Sequence, residues 1–116
     1  MNAITDLHRT AMALVDQGFA AQRLGNTARA QALLHQALDL ETQAAHQLAT
    51  DFAAEPSRSV LYRSAATLAI DCQELHQAEQ LIHMGLAGHP PTAIADELRE
   101  LLNRVHAKPS RLSGTA

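Results

Sequence analysis

Apolar residues recur at three- and four-residue steps through most of this chain, which is the spacing that paints one stripe on a helix. Leu7, Ala11, Leu14, Val15, Gly18, Ala21 and Leu24 form the first stripe and predict a helix over about 4–24. Gly25 tolerates a positive φ there, and Asn26 or Thr27 can cap the next helix by accepting bonds from its free N–H groups. The second stripe runs through Leu33, Leu34, Ala37, Leu38, Ala44, Ala45, Leu48 and Phe52 without Gly or Pro. It predicts a long helix over 28–54, roughly 40 Å of it. Glu55-Pro56 should stop that helix, because a residue before proline is pushed out of the α region.

Three shorter helices are predicted over 58–72, 75–87 and 92–106. Gly88-His89-Pro90-Pro91 ends the second of them, and Thr92 opens the last. From Lys108 onward the residues are too small and polar to pack. The chain therefore reads as one domain over 1–107 and a disordered tail over 108–116.

Two stretches share one pattern at an offset of 48 residues. Leu14, Gly18, Ala21, Ala30, Leu33, Leu34, Ala37 and Leu38 fall on Tyr62, Ala66, Ala69, Ala78, Leu81, Ile82, Gly85 and Leu86. Small meets small, and large apolar meets large apolar. Such self-similarity marks a supersecondary unit that buries its face by stacking on a copy of itself.

The unit of helix, tight turn and helix with these small residues resembles the tetratricopeptide repeat family. The first repeat offers Leu14, Gly18, Ala30, Leu34 and Ala37, and the second Tyr62, Ala66, Ala78, Ile82, Gly85 and Pro90. Gly18 and Ala66 would admit the facing helix closely, near Ala30 and Ala78 respectively. The resemblance covers about 11–90 and implies an all-α, right-handed stack of two helix-turn-helix repeats. It has a long second helix and a C-terminal capping helix. The chain departs from the family in its 48-residue period, in lacking the bulky aromatic of the first repeat, and in having only two repeats.

The resemblance also implies a non-catalytic protein-binding module. The first helix of each hairpin would line the inner surface, so Met12, Val15, Phe19, Gln22 and Arg23 would join Val60, Arg63, Thr67, Ile70 and Asp71. Within PSRSVLYRS, Arg58, Tyr62 and Arg63 gather at a helix N-terminus. Free N–H groups and two guanidinium forks favour an anion there. The expected partner-binding set is Phe19, Gln22, Arg23, Arg58, Tyr62, Arg63, Thr67 and Ile70. The partner is a protein or peptide, held through an acidic side chain or a chain terminus. In the competing reading, Arg58 and Arg63 pair with acids of the long second helix and Tyr62 fills core.

Composition narrows the function classes. Alanine occurs 23 times and the aromatics are only Phe19, Phe52 and Tyr62, which suits closely spaced helices. Twelve acids against nine bases give a formal charge of −3, against the basic face that nucleic-acid binding needs. Arg99, Arg104, Lys108 and Arg111 cluster late, as a solvated helix end and tail would. One cysteine, Cys72, excludes an internal disulfide and fits a reducing cytoplasm. The opening residues lack an apolar targeting segment, and no apolar run approaches the length of a membrane span.

Candidate chemistry is sparse. His76 and His83 lie two turns apart, roughly 10 Å, too far to share an ion, and no cofactor is expected. Arg29 with His35, and Arg99 with His106, have roughly the Arg-to-His spacing of HEPN-type helical ribonucleases, but neither arginine is followed by the polar residue usual there. Cys72 has no His or Asp in a motif relation to it. The alternatives to a protein-binding scaffold are a regulatory or antitoxin-like subunit of a larger complex and that ribonuclease. An obligate homodimer is a further reading, because the long second helix would leave Leu48 and Phe52 short of cover.

Overall fold

The Asn2 side chain accepts the Ile4 N–H at 2.8 Å and starts the first helix, α1, Ala3–Arg23. The computed structural model describes residues 2–107; the tail expected over 108–116 lies outside them. The remaining elements are α2, Thr27–His46; a 3-10 turn, Phe52–Ala54; α3, Ser57–Asp71; α4, Leu75–Leu86; and α5, Thr92–Ala107. The described residues are all-helical, with no strand among them. None of their helices is long and apolar enough to cross a membrane.

The 48-residue repeat is visible in backbone geometry. After α1, Leu24 sits at φ −85°, ψ 1°, Gly25 at φ +81°, and Asn26 at φ −88°, ψ 79°. After α3, Cys72 sits at φ −85°, ψ 1°, Gln73 at φ +60°, and Glu74 at φ −90°, ψ 69°. Equivalent bonds close both turns: Gly25 N–H to Gln22 O and Asn26 N–H to Ala21 O, then Gln73 N–H to Ile70 O and Glu74 N–H to Ala69 O. A left-handed residue just past the helix satisfies carbonyls that have no intrahelical donor. The same sequence offset thus gives the same cap twice.

Small residues sit where helices come closest. A Cβ on Gly18 would lie 3.0 Å from the Leu34 side chain and 3.5 Å from the Ala30 carbonyl oxygen, at the contact expected of it. Ala66 and Ala78 are fully buried. Gly85 marks the junction of three helices, where a Cβ would meet Leu98 at 3.0 Å and the Tyr62 Cβ at 3.1 Å.

The packing order is α1 on α2, α2 on α3, α3 on α4, and α5 across both α3 and α4. No Cα of α1 comes within 8 Å of one in α3. The close side-by-side approach of first helices is therefore made by α3 and α5 and not by α1 and α3. Between α1 and α2 the buried Glu41 carboxylate accepts from His8 Nδ1, 2.9 Å from each oxygen.

The second helix is shorter than its stripe predicts. It ends at His46; residues 47–50 form turns and Phe52–Ala54 a 3-10 turn. No overhanging helix is left, and Leu48 packs against the core. The cause is tertiary: Arg58 Nε donates to the Ala49 carbonyl at 2.9 Å, supplying from outside the donor that a continued helix would provide.

Candidate functional site

Arg58 is the most heavily used side chain in the fold. Its guanidinium is 2% exposed and reaches the Ala49 carbonyl through Nε at 2.9 Å, Met84 O through Nη2 at 2.6 Å and Gly85 O through Nη1 at 3.4 Å. Met84 and Gly85 belong to the last turn of α4, where exposed carbonyls and the helix dipole favour a cation. Glu55 Oε2 stands 3.5 Å from Nη1. The guanidinium carbon lies 4.9 Å from the Phe52 ring centroid and 5.2 Å from that of Tyr62. A buried charge survives here because hydrogen bonds, a carboxylate and two ring faces replace its water.

Glu55 is itself anchored, by the Ser59 N–H on Oε1 at 3.0 Å and the His89 N–H on Oε2 at 3.1 Å. Burial pushes its carboxyl upward. The bonds from Ser59 and His89, with the Arg58 charge, outweigh that and hold it below the usual carboxylate range. Gly88 closes the assembly: a Cβ there would lie 2.6 Å from Arg58 Nη1 and 2.9 Å from Glu55 Oε2.

This geometry redistributes the expected partner-binding residues. Arg58, Tyr62 and Ile70 are buried, so the anion corner is occupied by the chain's own carbonyls and Glu55. Arg63 does reach an acid, Glu97 on α5 at 2.7 Å, not one on α2. Thr67 donates to the Arg63 carbonyl at 3.0 Å. Tyr62 meets His46 Nδ1 through its hydroxyl at 2.9 Å; burial pushes its phenol upward, partly offset by Arg58.

Phe19, Gln22 and Arg23 remain exposed. With them stands Leu24, which the stripe assigns to the core but which is 85% exposed. Leu24 occupies the C-cap, where the chain leaves the helix and the hundred-degree projection ends. Phe19 is 37% exposed, so two large apolar side chains are presented at the C-terminal end of α1. Arg23 follows Phe19 by one helical turn and Arg29 lines a shallow surface pocket with Leu24, and no acidic side chain pairs with either arginine among the described residues.

A second feature is an open cleft of about 710 Å³ between α2 and α4. Thr42 and His46 form one wall, and Gln77, Gln80, His83 and Met84 the other. The Thr42 hydroxyl is buried with no hydrogen-bond partner.

Neither proposed Arg–His pair is assembled by mutual contact. Arg99 bonds Asp96, His106 bonds Glu79, and His35 bonds the Gln31 carbonyl. Cys72 is buried, and burial with the nearby charges of Asp71, Glu74 and Asp39 pushes its thiol up to about 11. Among the described residues no three His, Cys, Asp or Glu side chains are grouped to hold a metal.

No family model matches this chain, and no curated protein or solved structure matches it.

Proposed function

We propose that the chain is a non-catalytic protein-interaction module of tetratricopeptide-like architecture, which holds an acidic partner segment on the outer C-terminal end of α1. The observation that carries this reading is the exposure of Phe19 and Leu24, large apolar side chains near the C-terminal end of a helix that, among the described residues, has only α2 as a close helical neighbour. Exposed large apolar groups ringed by polar ones are the usual make-up of a docking patch. Arg23 and Arg29 set the partner's sign: apolar anchors would enter beside Phe19 and Leu24, while carboxylates meet the guanidinium groups. Arg63, half-buried beside Glu97, contributes to α3–α5 packing in this reading.

The buried Cys72 thiol and the self-paired arginines and histidines support a binding role over a catalytic one. The test is affinity purification from the native cell with the wild-type chain and a Phe19→Ser/Leu24→Ser variant. Both positions are surface-exposed, so thermal unfolding should be little changed while partner capture is lost. Recovery of the same partners by the variant would sink the assignment.

A further inference from the structure

We infer that the face of α1 carrying Met12, Val15 and Phe19 is the contact surface for α1 of a second copy of this chain, paired antiparallel. The second hairpin shows what such a face takes. At the 48-residue offset Met12, Val15 and Phe19 fall on Val60, Arg63 and Thr67 of α3. There a helix provides the cover: α5 packs across α3, and Glu97 holds Arg63 at 2.7 Å. The face on α1 lacks that cover, because α3 packs on α2 and brings no Cα within 8 Å of α1. Met12 and Val15 rest on the core with one side and stay partly open, and Phe19 is 37% exposed. This surface goes beyond the docking patch at the end of α1: the two share Phe19, while Leu24 and Arg29 belong to the patch alone.

The occupant is written in the charge order of α1. Thr5, Met12 and Phe19 stand seven apart, and His8, Val15 and Gln22 follow each of them by three, the seam that two packed helices share. None of these six is fully buried. Arg9, Asp16 and Arg23 border the seam, again seven apart, and alternate in sign; the other border, Ile4, Ala11 and Gly18, is uncharged. A two-fold contact must be self-complementary, and this order permits it in one register. Setting Met12 of one copy on Val15 of the other places His8 on Phe19 and Thr5 on Gln22, and brings each Arg9 beside the other copy's Asp16. The contact runs about 26 Å from Thr5 to Gln22 at 1.5 Å per residue. Sliding the pair by one turn, Val15 on Phe19, sets Asp16 beside Asp16 and Arg9 beside Arg23, like on like. A parallel pair would turn all three charges onto the uncharged border. The Asp16 carboxylate is exposed, with no cation paired to it among the described residues. Arg9 has only Asp6, at 3.8 Å and with both side chains well exposed, so it is free to exchange partners. His8, fixed by Glu41 and 43% exposed, offers Phe19 an aromatic ring.

The test is sedimentation equilibrium of the full chain and of Arg9→Asp, Asp16→Arg and the exchange Arg9→Asp/Asp16→Arg. Wild type should be a dimer at micromolar concentration. Each single reversal turns two attractive pairs into repulsive ones and should weaken dimerisation about tenfold or more, while the exchange should restore it to within about threefold. Should a reversal lower thermal stability, Arg9→Gln and Asp16→Asn should each weaken the dimer about threefold, and both together no more than either alone. A monomer at all concentrations up to about 100 μM, a dimer indifferent to these charges, or one that the exchange does not restore overturns the inference. Failure of the partner patch reads differently. Leu24→Ser/Arg29→Ala should leave the dimer intact while weakening capture of an outside partner. A monomer that still captures partners through Leu24 and Arg29 overturns the dimer alone, and a dimer whose Leu24→Ser/Arg29→Ala variant captures the same partners counts against the patch alone.

Discussion

The Arg58 Nη2 atom lies 2.6 Å from the Met84 carbonyl oxygen, and this bond ties the first turn of α3 to the last turn of α4. The same side chain holds the Ala49 carbonyl in the segment after α2. Three segments distant in sequence thus share one buried cation. That cation positions the α2–α4 cleft as well as closing the core.

Replacing Arg58 by Met should cost about 3–5 kcal/mol of unfolding free energy, the range for stranding the partners of a buried charge. Arg58→Lys should recover only a minor part, since one ammonium cannot serve both the Ala49 and Met84 carbonyls in the directions of a planar fork. Gly88→Ala should act on the same assembly, because its methyl would occupy space 2.6 Å from Arg58 Nη1. A loss of about 1–3 kcal/mol is expected from that overpacking. Urea unfolding monitored by circular dichroism measures all three. An Arg58→Met variant as stable as wild type would show that the buried fork contributes nothing net.

Acid should weaken the same junction. The folded Glu55 carboxyl titrates below the ordinary value of 4.5, so its ionised form is stabilised by folding. That contribution is fully present above the unfolded value and is lost as pH falls through the folded one. Glu55→Gln should therefore flatten the acid limb of a stability-versus-pH curve below about 4.5, leaving its shape near neutrality unchanged. A steeper acid limb in the variant would contradict the assignment.

How much of this was legible in the residues differs by kind of interaction. The repeat was legible, because Gly18, Ala66, Ala30 and Ala78 must be small wherever helices cross closely, and composition records that demand directly. The end of α2 was not. The stripe continues through Leu48 and Phe52, and the break depends on an arginine nine residues after Ala49 seeking a backbone carbonyl. Carbonyls are common to every residue and leave no pattern. For the same reason Arg58 looked like an anion ligand, although its acceptors are internal. Gly88 signalled only a helix stop, and its closeness to Arg58 and Glu55 required the fold. Leu24 fitted the helical projection and still faces solvent, since that projection fails at a cap residue.

Alkali should act through Cys72. Its thiol is pushed up to about 11 from an ordinary value of 9.0. An acid whose folded value is raised leaves the unfolded state to ionise first, so stability is full below about 9 and declines from there towards 11. Cys72→Ala should remove that part of the alkaline loss. In the native chain, iodoacetamide at pH 8 should label Cys72 only as fast as the structure opens, because the buried thiol is neutral and shielded. Rapid labelling without denaturant would mean that the helical turn at Cys72 is open.

The duplicated turn supplies the sharpest stability test. Gly25 at φ +81° and Gln73 at φ +60° occupy the same place in equivalent caps, but only glycine adopts that region without a Cβ penalty. Gln73 carries the strain that Gly25 avoids. Gln73→Gly should therefore stabilise the chain by about 0.5–1 kcal/mol, the relief of the left-handed conformation exceeding the extra freedom glycine gains when unfolded. Gly25→Ala should destabilise by a similar amount, and sterics cannot be the reason, since nothing lies within 4 Å of a Cβ built there. Opposite signs at two sites 48 residues apart would establish that the caps are energetically as well as geometrically equivalent. If both substitutions destabilise, the Gln73 side chain holds the second turn through interactions that the first turn lacks, and the energetic equivalence of the two hairpins fails.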